Sequence, residues 1–218
     1  LVRWITPDKG MVSPGKFIPV FEKNGLIMKL DYYIWEKSCR LIRSWLDRGI
    51  EPFPISVNIS RVSMYNPRIV EEIHELTVKY DIPPELFQLE LTESAYTDNQ
   101  DAIKKAMRQL QKYGHTILMD DFGSGYSSLN VLKDISVDVL KLDMKFMSAP
   151  GSENQKRSES IVANVIRLAK DLDLPVIAEG VEEKEQVEFL SSVGCEYVQG
   201  YYFAKPMPVE EYEKLAFV

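Results

Sequence analysis

Ile117-Leu118-Met119-Asp120-Asp121-Phe122-Gly123-Ser124-Gly125 is an apolar run that ends in two carboxylates and then turns on glycines. The same grammar recurs along the chain. Leu89-Glu90-Leu91-Thr92-Glu93 precedes it. Val139-Leu140-Lys141-Leu142-Asp143 and Val176-Ile177-Ala178-Glu179-Gly180-Val181-Glu182 follow it. A further run, Ile55-Ser56-Val57-Asn58, ends in an amide. Helix-like stretches separate these runs. One carboxylate at the C-terminal end of one strand means little. Several in succession suggest a ring of oxygens on one rim of a parallel barrel, the rim where such barrels keep their chemistry.

The stretches between have helical spacing. Leu26, Ile27, Leu30, Tyr33, Ile34, Leu41, Ile42 and Trp45 form one apolar stripe, stopped at Gly49. Asn66 and Pro67 open the next helix, carried by Ile69, Val70, Ile73, Leu76 and Tyr80. Asp98 reads as the N-cap of a helix with Ile103, Ala106, Met107, Leu110 and Tyr113 on its apolar face. Residues 148–156 read as a polar loop. Ile161 to Leu172, Val187 to Val193 and Val209 to Leu215 mark three more helices. Strand and helix alternate throughout, which predicts a parallel α/β fold. About six strands are legible, with a remnant near Leu1, against the eight of a closed (β/α)₈ barrel. The shortfall lies at the N-terminus.

With 218 residues the chain has room for one sizeable core, and it reads as a single domain over 1–218. No apolar run is long enough to span a bilayer and no signal peptide is visible, so a soluble, cytoplasmic segment is expected, or one on the cytoplasmic face of a tethered parent. A net charge of −7 argues against a surface that coats DNA or RNA. It leaves open one small phosphorylated ligand held through cations. Cys39 and Cys195 have no Cys or His at metal-ligand spacing and read as reduced, buried thiols. His74 and His115 read as structural rather than catalytic.

Asn58, Glu90 and Asp120 supply hard oxygens from three successive strands, with Asp121 beside Asp120 and Glu179 from a later strand. Such donors suit Mg²⁺ or Mn²⁺. Adjacent carboxylates can bridge two ions about 3.5–4 Å apart, the geometry of two-metal phosphoryl hydrolysis. Lys141 could hold a phosphate or orient water, or simply pair with a neighbouring acid; the pattern leaves both open. Taken singly, each acid could be a helix cap or a solvated loop residue. Asp98 and Glu183 take that plainer reading, and Glu93 could simply bond backbone in the adjacent loop. Gly123 and Gly125 allow positive φ in the turn after Asp121, which could close on a ligand.

In order, these strings resemble the EAL-domain family, the bacterial cyclic-di-GMP phosphodiesterases. The matching pieces are Leu1-Val2-Arg3-Trp4, Phe17-Ile18-Pro19, Ser56-Val57-Asn58-Ile59-Ser60, Glu90-Leu91-Thr92-Glu93-Ser94 and the run from Asp120 to Leu129. Lys141-Leu142-Asp143, Ala178-Glu179-Gly180-Val181-Glu182 and Gln199-Gly200-Tyr201-Tyr202-Phe203-Ala204-Lys205-Pro206 continue the set over nearly the whole chain. The resemblance implies a TIM-like (β/α)₈ barrel with one antiparallel strand. It implies hydrolysis of cyclic di-GMP to linear pGpG with two Mg²⁺ or Mn²⁺ ions. By match, Asn58, Glu90, Asp120, Asp121 and Glu179 look like metal ligands, with Glu179 alternatively the base for the attacking water. Lys141 would position water and the scissile phosphate, and Glu93 would anchor the loop after Asp121. Leu1, Arg3, Glu182 and Gln199 would line the ligand groove, with Arg3 on a phosphate.

The family's Glu-Ala-Leu signature is represented here from its Leu, Leu1. Its Glu, a metal ligand, and the preceding strand are expected from a longer parent, and the 218 residues alone are expected to bind metal weakly. The resemblance also implies a homodimer and a sensor or GGDEF-type domain upstream. The alternative reading is a non-catalytic cyclic-di-GMP receptor. A glycoside hydrolase using Glu90 and Glu179 as its acid/base pair would leave Asn58, Asp120, Asp121 and Lys141 without a part.

Overall fold

The computed structural model describes residues 2–8, 10–98, 100–123, 136–144, 147 and 152–217. Leu1 and residues 124–135 of the glycine-rich turn lie outside this set, as do residues 148–151 of the expected loop. The chain divides into two compact units, one of Leu1–Leu91 with Gln100–Thr116, the other of Thr92–Asn99 with Ile117–Val218.

The first unit opens with an antiparallel hairpin of β1 (Trp4–Thr6) and β2 (Gly10–Val12). Helices α1 (Pro14–Asn24) and α2 (Ile27–Asp47) follow, then β3 (Ile55–Asn58), a four-residue α3 (Arg61–Met64) and α4 (Ile69–Lys79). β4 (Phe87–Thr92) begins after a short 3₁₀ turn, and α6 (Gln100–Lys112) completes the unit. β3 and β4 pair in parallel, with Ile55 opposite Phe87 and Asn58 opposite Glu90. The core is built from the helical stripes: Trp35, Cys39, Ile42 and Trp45 of α2, Ile73 and Leu76 of α4, and Ile103, Met107 and Leu110 of α6 are all buried. Each stripe repeats every three or four residues, so each helix turns one face inward.

The second unit begins with α5 (Glu93–Asp98) and holds four parallel strands: β5 (Ile117–Phe122), β6 (Val139–Asp143), β7 (Val176–Glu179) and β8 (Tyr197–Gln199). Helices α7 (Gln155–Asp171), α8 (Lys184–Ser192) and α9 (Val209–Ala216) connect or follow them. Met119, Leu140, Leu142, Ala178, Val162, Ile166 and Leu190 are buried. β5 and β6 are largely buried apolar runs, as strands covered on both faces are, whereas β8 is exposed at Tyr197 and Gln199. No helix among the described residues is long and apolar enough to cross a membrane.

Several elements differ from the sequence reading. Asp98 does not open a helix; it is the last residue of α5, which starts at Glu93. The helix expected after Asp98 is α6, which begins at Gln100, with residue 99 outside the described set; α5 has its own cap, Thr92 Oγ1, which accepts the N–H of Ala95 at 3.4 Å. The loop expected over 148–156 ends sooner, because α7 begins at Gln155. The N-terminal region is more than a strand remnant, since it carries the hairpin and α1. Helix α1 contains Pro19. Glu183 does stand at the N-cap of α8, where its N–H donates to Gln186 Oε1 at 3.0 Å. Both cysteines are free and buried.

Candidate functional site

The end of β3 stands beside the end of β4. In this register the Asn58 amide Nδ2 donates to Glu90 Oε2 at 3.2 Å. That donation uses the NH₂ and leaves Oδ1 as the oxygen donor of the side chain. Glu90 is only 7% exposed, so its carboxylate depends on polar partners such as this one. Behind the strand, Trp35 Nε1 on α2 donates to the Asn58 carbonyl at 3.0 Å.

In the second unit a lysine organises the acids. Lys141 sits in the middle of β6 at 5% exposure. Its Nζ lies 2.8 Å from Glu179 Oε1 on β7 and 3.3 Å from Asp120 Oδ1 on β5. One ammonium thus bridges carboxylates from the two flanking strands. Asp120 Oδ1 also accepts the Asp121 N–H at 3.0 Å. Asp143, quoted in the sequence reading without a role, is paired in register with Glu179 at the same strand ends.

Asp121 has φ of 55°, and the β5–β6 register shifts between Met119 and Phe122. Successive strand residues ordinarily face opposite sides. A bulge breaks that alternation and re-aims side chains, and Asp tolerates the left-handed conformation better than most residues. Here it leaves Asp121 exposed and Phe122 buried. Beyond the bulge, Gly123 with φ of 97° donates its N–H to Glu93 Oε2 at 3.2 Å. Glu93 is itself buried at the start of α5, so a buried carboxylate holds the start of the glycine turn.

Leu1 lies outside the described residues, and the other three expected groove residues are on the surface. Arg3 is exposed and donates to the Val2 carbonyl at 2.9 Å. Glu182 and Gln199 are exposed. The N–H of Glu182 donates to Gln186 Oε1 at 2.8 Å, and the Gln199 carbonyl accepts the Val181 N–H at 3.1 Å. The Val181 carbonyl in turn accepts the Tyr202 N–H at 3.0 Å. Gly200 lies so close to Val181 that an added Cβ would collide with the Val181 backbone. The Ala178–Glu182 and Gln199–Tyr202 segments are therefore locked together by backbone, which explains a glycine at 200.

The two histidines stand in the first unit. His115 is buried, with Nδ1 at 3.1 Å from the Phe87 carbonyl, and burial pushes its pKa below the ordinary value. His74 stacks on Tyr113 with ring centroids 3.9 Å apart.

The donor set suits a hard divalent cation: carboxylates and one amide at strand ends, with no thiolate or imidazole among them. Among the described residues no group of three or more His, Cys, Asp or Glu side chains converges on a point that could hold an ion. The donors fit by chemistry, Asn58 and Glu90 in one unit and Asp120, Asp121 and Glu179 in the other.

Comparison with known proteins bears on the whole chain. The family model of the EAL domain matches residues 1–206. The signaling protein YkoW of Bacillus subtilis (strain 168) is 37% identical over 214 residues, which is 98% of this chain and 26% of that protein. The bifunctional diguanylate cyclase/cyclic di-GMP phosphodiesterase MucR of Pseudomonas aeruginosa is 36% identical over 211 residues, 97% of this chain and 30% of that protein. The chain therefore spans roughly a quarter to a third of the length of these relatives. A solved structure of the Pseudomonas MucR phosphodiesterase in complex with c-di-GMP aligns with a TM-score of 0.90 at 35% identity, covering 97% of this chain and 85% of that one. The fold is accordingly the TIM-barrel-like one of these neighbours, and the chain belongs to the EAL domain family.

Proposed function

We propose that this chain is one EAL domain that hydrolyses a phosphodiester of cyclic di-GMP to linear pGpG. The observation that carries the reading is the set Asn58, Glu90, Asp120, Asp121, Lys141 and Glu179, each on a strand or at its end, in a family whose relatives include a cyclic di-GMP phosphodiesterase. The reading takes Asn58, Glu90, Asp120, Asp121 and Glu179 as oxygen ligands for two Mg²⁺ or Mn²⁺ ions. Such ions would neutralise the phosphodiester and lower the pKa of a bound water.

The protein's own groups have separate tasks. Lys141 donates protons in hydrogen bonds and carries a charge that complements a phosphate; its place beside Glu179 and Asp120 suits it to orient the water or the phosphoryl oxygen. Glu179 is a ligand or the base that takes the water's proton. Glu93 fixes the start of the turn after Asp121 through Gly123, a positioning task. Leu1, Arg3, Glu182 and Gln199 are assigned to the ligand groove, with Arg3 as the phosphate partner. Homodimerisation, an upstream sensor or GGDEF-type domain and a cytoplasmic setting belong to the same reading.

The test is nucleotide chromatography of cyclic di-GMP incubated with the full-length protein and Mn²⁺ or Mg²⁺. Linear pGpG formed with either ion and lost with chelator is the expected result. Ligand bound but uncut under every condition would replace the reading with that of a receptor.

A further inference from the structure

Helix α2 buries an apolar stripe of Ile27, Trp35, Cys39, Ile42 and Trp45, and one acid is set within it, Asp31 at 7% exposure. The helical spacing calls for an apolar side chain there. A carboxylate in that place costs free energy unless it is hydrogen-bonded. Burial raises its pKa above the usual carboxylate value while hydrogen bonds from Ser60 and Ser63 oppose the rise.

Those bonds show what Asp31 holds. Its Oδ2 accepts the backbone N–H of Ser60 at 3.0 Å and the hydroxyl of Ser63 at 2.7 Å. Ser60 Oγ meanwhile accepts the Ser63 N–H at 3.2 Å and so caps α3. One helical turn along, Trp35 Nε1 donates to the Asn58 carbonyl at 3.0 Å. Four helical residues rise about 6 Å, and two residues of extended chain span about 6.6 Å. The spacing from Asp31 to Trp35 on the helix thus matches the spacing from Ser60 to Asn58 on the strand exit. Between these two anchors the Ile59 N–H bonds to the Glu90 carbonyl at 2.9 Å, and the Ile59 side chain is buried. The backbone at and just after Asn58 is therefore held by three successive bonds while its side chain donates to Glu90.

We propose that Asp31 and Trp35 are a positioning pair that fixes Asn58 against Glu90 for oxygen ligation of a divalent cation. The proposal rests on the reading of Asn58 and Glu90 as ligands. The pair touches neither cation nor substrate; it acts through the backbone of residues 58–60.

Mn²⁺ affinity, read by electron paramagnetic resonance of the free ion, is measured on the full-length wild-type protein and on Asp31→Ala, Asp31→Asn and Trp35→Phe. Hydrogen exchange of residues 57–63 is read on the same samples. Asp31→Ala and Trp35→Phe should each weaken Mn²⁺ binding about tenfold, the low end for residues that support a ligand, and both should lose protection at 57–63. Asp31→Asn keeps an oxygen acceptor for both donors and should restore affinity and protection together. Protection lost in Asp31→Ala with Mn²⁺ affinity unchanged would make the pair merely structural and overturn the proposal. A wild-type protein that binds no Mn²⁺, with residues 57–63 still protected, would overturn the ligand reading beneath it, and the two failures differ in that readout. Trp35→Phe retains a large apolar ring, so it carries the test should Asp31→Ala fail to fold.

Discussion

The two candidate clusters are held by different forces. In the first unit Asn58 and Glu90 are set by an indole N–H, a side-chain amide and backbone N–H groups. In the second unit Asp120 and Glu179 share the ammonium of Lys141. Bonds from neutral donors fix direction and respond little to salt. A charge bridge fixes distance and depends on the charge, and salt screens it where the two acids meet solvent. The first cluster should therefore respond to loss of shape, the second to loss of charge.

The largest expected effect comes from Lys141→Met. It keeps much of the side-chain volume but leaves the carboxylates of Asp120 and Glu179 without that cation. Removing one member of a buried ion pair costs about 3–5 kcal/mol. The lower end applies, because the two acids keep 15% and 19% side-chain exposure. Urea unfolding near neutral pH should show that loss, and turnover should vanish with it. A loss below about 1 kcal/mol would mean that the cluster behaves as an exposed pair.

Gly200→Ala comes next. Its Cβ would meet the Val181 backbone, so the Ala178–Glu182 and Gln199–Tyr202 segments must part. An overpacked site costs about 1–3 kcal/mol. Thermal unfolding should move accordingly, and an unchanged midpoint would show that the two segments can separate freely.

Trp35→Phe breaks the comparison from the other side. It removes one neutral donor from the Asn58 carbonyl, a loss of about 1 kcal/mol, and adds the cost of a smaller ring in a buried site, both the same in low and high salt. A strong salt dependence would show that charge also governs the first cluster.

The smallest effect is a pH response of the first unit. Burial lowers the pKa of His115 below its unfolded value of 6.5, so the unfolded chain binds the proton more readily than the folded one. Stability is then fully present above the unfolded pKa and is lost as pH falls through the folded pKa. His115→Gln should flatten that slope in urea midpoints measured from above pH 6.5 downward. An unaltered slope would assign the acid response to other groups.

Much of this arrangement was legible in the sequence because apolar runs that end in acids recur in order along it. β4, β5, β6 and β7 fall on the expected runs, and Lys141 pairs with acids from neighbouring strands, one of the two readings the pattern left open. Other features left no such trace. The left-handed turn at Asp121 depends on a register shift that local pattern does not encode. The strands of the hairpin are three residues each, too short for alternation to show. Pro19 interrupts the helical pattern of α1, and Asp98 ends α5 only two positions before α6 begins at Gln100, too short a gap for the sequence to separate the two helices. Asp31 lay inside an apolar stripe, where a polar residue was itself the signal, and the serines it binds are about thirty positions away in sequence.

Glu90 and Glu179 are both proposed to take part in the hydrolysis of cyclic di-GMP. The direct measurement is cyclic di-GMP turnover by the full-length protein carrying Glu90→Gln, Glu179→Gln or both, with Mn²⁺ present and folding checked by circular dichroism. Each single change should lower kcat by at least about a hundredfold, and the double variant should be scarcely worse than either, because groups that act as a unit do not add. Turnover that persists in either folded single variant, or losses that simply multiply, would contradict the account.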